Sequence, residues 1–245
     1  MKLPLSPVRR HYVIVVLSFA ITSCGYAQTV DALIAKNLAA RGGAAKLRAI
    51  RSMVMTGTIS FGDVSSPLTV KVLRPNRIRE DFQVQETDVT RAYDGSSGWE
   101  RQGAAARSVV DGELNSLREE AANAIEGPLL DYAKKGSKAE FLGNDSVDGR
   151  PVYKVKITTR LGTSITQFLD AGTYLEIHEE IERSVDGKVT TIVEEVGDYR
   201  EVDGVKFAHR FVSGTRENPA GSRLQIDKMT LNVPVEESVF QKPQP

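Results

Sequence analysis

The chain of 245 residues carries 32 basic and 32 acidic side chains, is 40% hydrophobic and has one cysteine. A single cysteine excludes an internal disulfide framework and a cysteine-based metal site. The balanced charge argues against a nucleic-acid partner, which would need a clustered basic face.

The N-terminal segment sets Lys2, Arg9 and Arg10 ahead of an apolar run at 12–21 and small residues around Cys24 and Ala27. This is the order of a secretion signal. The run is about half of the ~20 residues needed to span a bilayer as a helix, so residues 1–27 are expected to direct export and be removed. Two cleavages stand open. Gly25-Tyr26-Ala27 suits a general signal peptidase and would release a soluble chain at Gln28. Ile21-Thr22-Ser23-Cys24 resembles a bacterial lipobox, in which Cys24 would be lipidated and tether the chain to a membrane. Loss of the three basic residues takes the balance from 32 to 29 basic against 32 acidic. About 218 residues remain, enough for a single domain over 28–245.

Val30, Leu33, Ile34, Asn37, Leu38 and Arg41 follow helical spacing, with Thr29 or Asp31 near the start and Gly42-Gly43 to end the helix. A short helical run at 44–50 follows. From Ser52 the pattern alternates: Met53, Met55, Gly57, Ile59 and Phe61 share one face, then Leu68, Val70 and Val72, then Ile78, Phe82 and Val84. Residues 111–135 return to helical spacing and predict two helices meeting at a bend near Gly127-Pro128. Alternating runs then resume behind Asp148-Gly149, Asp170-Ala171-Gly172, Asp186-Gly187 and Asp203-Gly204, the turn chemistry of antiparallel hairpins. A last strand spans 223–233. About ten or eleven strands are expected, too many for a flat sheet, so the sheet should curl. The fold class is mainly β with helices (α+β).

Chemistry is sparse. His178 and His209 lie on predicted strands among apolar residues and have no convergent partners. Glu179, Glu180, Glu182, Glu194 and Glu195 are the acid/base candidates, and a solvated strand face is the ordinary role for such carboxylates. No metal-binding pair, Gly-x-Ser-x-Gly elbow, phosphate loop or dinucleotide fingerprint occurs, so no catalytic residue, metal or cofactor is expected. The glycine-rich 94–99 segment reads as a turn, and Trp99 either lines a cavity or packs in the core.

Several ordered stretches resemble the outer-membrane lipoprotein-sorting proteins, the LolA/LolB-like family of periplasmic carriers. These are the entry helix at 40–50, Arg74-Pro75-Asn76-Arg77-Ile78-Arg79, and Ala92-Tyr93-Asp94-Gly95 leading to Gly98-Trp99. The central helical insertion, residues 202–210 and the closing 232–240 add to the likeness. The resemblance implies an unclosed antiparallel β-barrel whose concave apolar face is covered by a helical lid, forming a cavity for lipoprotein or lipid acyl chains. Met53, Met55, Phe61, Leu68, Val70, Ile78, Phe82 and Trp99 are the candidates for its lining, with a tightly packed core as the alternative. The expected function is a non-enzymatic periplasmic or envelope carrier of a lipophilic ligand. The alternative is an envelope sensor or interaction module of the same fold that binds a protein partner.

Overall fold

The computed structural model describes residues 28–185 and 188–243. The segment 1–27, with Cys24 and both cleavage sites, lies outside the described residues, as does the Asp186-Gly187 turn.

Two helices open the fold, α1 (Val30–Ala40) and α2 (Ala44–Ala49). The Thr29 hydroxyl caps α1 by accepting from the Ala32 amide at 3.2 Å. Gly42 ends it at φ +111°, where an added Cβ would stand 2.3 Å from the Gly204 carbonyl oxygen, so this close approach requires glycine. The strands β1 (Ser52–Phe61), β2 (Val64–Leu73), β3 (Arg77–Val84), β4 (Thr87–Tyr93), β5 (Gly98–Gln102) and β6 (Ala105–Val109) then follow as a meander. Helix α3 (Asp111–Asn123) crosses to the second half of the chain. That half contains β7 (Lys138–Val147), β8 (Arg150–Thr158), β9 (Ser164–Asp170), β10 (Glu176–Val185) and β11 (Lys188–Gly197). A small pair, β12 (Arg200–Val202) and β13 (Val205–Phe207), precedes β14 (Arg210–Thr215) and β15 (Ser222–Leu231).

Among the described residues, thirteen strands form one antiparallel sheet in the order β6-β5-β4-β3-β2-β1-β15-β14-β11-β10-β9-β8-β7, and β12–β13 stands apart. The last strand returns to pair with the first, so β1 and β15 join the two halves. The sheet is unclosed, its edges being β6 and β7, and it agrees with the expected fold class. It exceeds the ten or eleven expected strands because the short hairpin β5–β6 carries too few alternating apolar residues to be read as strands. At Asp148-Gly149 and Asp203-Gly204 both residues have positive φ, as a tight hairpin turn requires.

The insertion differs from expectation. Only α3 is an α-helix, and residues 124–136 form a chain of turns in which Gly127 and Asp131 take positive φ (+74° and +52°) and stop helical propagation. This segment still covers the sheet. Its adjacent residues Leu129 and Leu130, both buried, enter two different cores. Leu130 joins Leu47, Met53, Val70, Ile78 and Leu117, while Leu129 joins Leu33, Ile34, Val155, Ile157 and Leu169. Each such side chain contributes about 1.5–3 kcal/mol on burial. The two cores flank the middle of the concave face.

Candidate functional site

Between these cores, the sheet and the covering segments enclose a cavity of about 520 Å³. Its lid is held by specific contacts. Arg41, at the end of α1, donates to the carbonyl oxygens of Glu126 (2.6 Å) and Ile125 (3.2 Å). Asn37 donates to the Tyr174 carbonyl at 2.8 Å. Helix α3 spans the concave face: Glu120 pairs at 2.8 Å with Arg91 on β4, and Glu119 accepts from Thr159 beyond β8. Beneath the turn segment, Glu126 forms ion pairs with both Arg74 and Lys135.

One wall is apolar. Met53, Met55 and Ile59 on β1, Val70 on β2, and Leu224 and Met229 on β15 line it. Alternation along β1 and β2 produces this face, and Gly57 lets β15 approach at a bulge between Thr56 and Gly57. An added Cβ at Gly57 would lie 2.0 Å from the Gln225 carbonyl oxygen.

The opposite wall carries a polar row set by strand register. Gln167 on β9, Glu179 on β10, Glu194 on β11, Ser213 on β14 and Ser222 on β15 are successive cross-strand partners, and all line the cavity. Apolar rows border it on both sides. Ile165, Ile181 and Ile192 form one, and Val196, Phe211, Leu224 and Ile59 form the other. A bulge between Glu176 and His178 turns Glu176 to the cavity as well. Gln167 Nε2 donates to Glu176 at 2.8 Å and to Glu179 at 2.9 Å, and the Ser213 hydroxyl donates to Glu194.

Burial and the proximity of Glu179 push the Glu194 carboxyl up to about 7. Burial, with mutual repulsion, also raises Glu176, and burial raises Glu179. On the other side of the cavity, burial and the neighbouring Glu120 raise Glu80. Burial lowers the Arg41 guanidinium.

The structure divides the candidate lining residues. Met53, Met55, Val70 and Ile78 line the cavity. Leu68 is buried in the core beside it. Phe61, at the tip of the β1–β2 hairpin, is 39% exposed and packs on Phe82 at 6.3 Å between ring centroids, and neither reaches the cavity. Trp99 is 1% exposed and off the cavity, because its indole Nε1 donates to the Phe240 carbonyl at 2.7 Å, tying the C-terminal tail to β5.

The solvated reading of the glutamates requires correction at two positions. Glu180 and Glu182 pair with Arg216 away from the cavity, but Glu179 and Glu194 turn inward. His178 packs edge-on against Phe168 away from the cavity, and His209 lies buried between β13 and β14 with Nδ1 3.0 Å from the Phe207 carbonyl oxygen. The expected strand through 205–213 is thus broken at His209. Glu80, Glu119, Glu120, Gln167, Glu176 and Tyr199 on the cavity were missed. The available signal was parity: Glu194 shares its strand face with Ile192 and Val196, and Glu179 shares its face with Ile181.

No protein-family model matches this chain, and no curated protein does. Solved structures do. A domain described as an outer membrane lipoprotein-sorting protein domain, from Vibrio parahaemolyticus, superposes with a TM-score of 0.56 at 9% identity, covering 87% of this chain and 96% of its own. A DUF1329 family protein from Desulfovibrio piger gives 0.56 at 11% identity, with 87% and 97% covered. A LolA superfamily protein from Nitrosomonas europaea gives 0.57 at 14% identity, with 88% and 99% covered. The chain has the LolA/LolB-like fold.

Proposed function

We propose that this chain is a non-enzymatic carrier or binding protein for a lipophilic ligand, such as lipid or lipoprotein acyl chains, held between sheet and helices. One observation carries the reading: a cavity of about 520 Å³ with an extended apolar wall under a pinned lid, within the ~300–1,000 Å³ range of ligand sites. The shared fold with a lipoprotein-sorting protein domain from Vibrio parahaemolyticus supports it. The protein is exported by residues 1–27, and it resides in the periplasm as one domain or, if acylated at Cys24, is anchored to a membrane facing it.

Titration of the purified protein with the neutral fluorophore N-phenyl-1-naphthylamine tests this. Saturable enhancement at about one equivalent per chain is expected. An Ile192→Trp variant, which adds bulk on the cavity wall, should lose most of it. Equal enhancement by both proteins, or none by either, would contradict the proposal.

A further inference from the structure

The registered polar row is costly if the ligand is only hydrocarbon. Gln167 donates to Glu179 and Ser213 to Glu194, and closing an alkyl chain over the row would remove water from the carboxyl lone pairs that these bonds leave free and return no hydrogen bond. One group in the same cavity lacks a partner. Arg183 Nε is shut off from water without a hydrogen bond, and Arg183 lines the cavity next to Ile181.

The sign of the charge is uneven. Six glutamates and two arginines line the cavity, and one of those arginines, Arg41, is committed to the carbonyls of the lid. Arg91 pairs with both Glu80 and Glu120 on the far side, so an anionic head group would meet its carboxyls at Glu176, Glu179 and Glu194.

We infer that the ligand is an amphiphile with a protonated amine, seated on the row formed by Glu179 and Glu194, with apolar segments lying on the flanking isoleucine and Phe211–Leu224 rows. An acceptor oxygen next to the amine would satisfy Arg183 Nε. Burial favours the neutral carboxyls, and a bound ammonium reverses that preference. This assignment rests on the lipophilic-ligand reading and adds the head group.

Competition against bound N-phenyl-1-naphthylamine by dodecylamine, dodecanol and dodecanoate separates the two. Dodecylamine is expected to displace the reporter at concentrations about tenfold below dodecanol, as a hydrogen bond to a charged group gives. Dodecanoate should be the weakest. A Glu179→Gln/Glu194→Gln variant should lose the amine advantage and keep dodecanol binding, which also reports that it folds. Glu180→Gln/Glu182→Gln, away from the cavity, should keep the advantage. Equal displacement by amine and alcohol, or an advantage that survives in the Glu179/Glu194 variant, overturns the head-group assignment alone. Failure of both reporter and dodecanol to bind overturns the carrier reading and this inference with it.

Discussion

Glu179 and Glu194 stand directly opposite one another on β10 and β11, both facing the cavity. Like charges at such a pair destabilise a sheet, and burial adds to that cost. The pair is therefore maintained by keeping protons that free glutamates would release.

Stability should fall as pH rises. The folded state holds the Glu194 proton up to about 7, against an ordinary value of 4.5. It therefore binds more protons than the unfolded chain between those values, and the slope of unfolding free energy with pH is negative there. The contribution is complete below 4.5 and is lost as pH passes 7. Urea midpoints measured across this interval should decline, and Glu194→Gln should decline less. An identical slope in both proteins would contradict the assignment.

The Arg41 latch should be worth measuring as a unit. Its guanidinium serves two carbonyls of the covering turn, and a lysine cannot reproduce that fork. Arg41→Lys is expected to cost about 1–3 kcal/mol in urea unfolding. Faster hydrogen exchange over residues 124–130 should accompany it.

Glu126, 6% exposed, holds two cations at once, Arg74 and Lys135. Glu126→Ala removes the counter-charge while Arg74 keeps the Ile50 and Leu47 carbonyls and Lys135 keeps Asn123 and Gly127, and it is expected to cost about 1.5–3 kcal/mol. A loss confined to a few tenths of a kcal/mol would show that water satisfies the pair.

The C-terminal tail is pinned through Trp99 and the fully buried Phe240. Phe240→Ala should cost about 3–5 kcal/mol and Trp99→Phe about 1 kcal/mol through the lost hydrogen bond. Limited proteolysis should then trim the tail first, in the order of those losses.

The sheet was legible because apolar alternation is a local signal, and Met53, Met55, Val70 and Ile78 announced the apolar wall. The polar wall was not legible by composition: the run from His178 to Glu182 looks solvated whichever face is counted. Only parity with Ile181 and Ile192 reveals that Glu179 and Glu194 turn inward. Trp99 and Phe61 show a second limit. Both share the apolar character of lining residues, yet a tail 141 residues away captures the first, and a hairpin tip carries the second outward. The positive φ of Asp131 likewise has no local signature, so residues 124–136 read as helix.

Extraction shows whether the cavity holds a lipophilic molecule. Protein purified without detergent is extracted into organic solvent beside Ile192→Trp, and both extracts are quantified by mass spectrometry. The account predicts about one equivalent of a lipophilic molecule per chain from the parent protein and a large deficit from the variant. No recoverable molecule from the parent, together with an unoccupied cavity that refuses the neutral fluorophore, would contradict it.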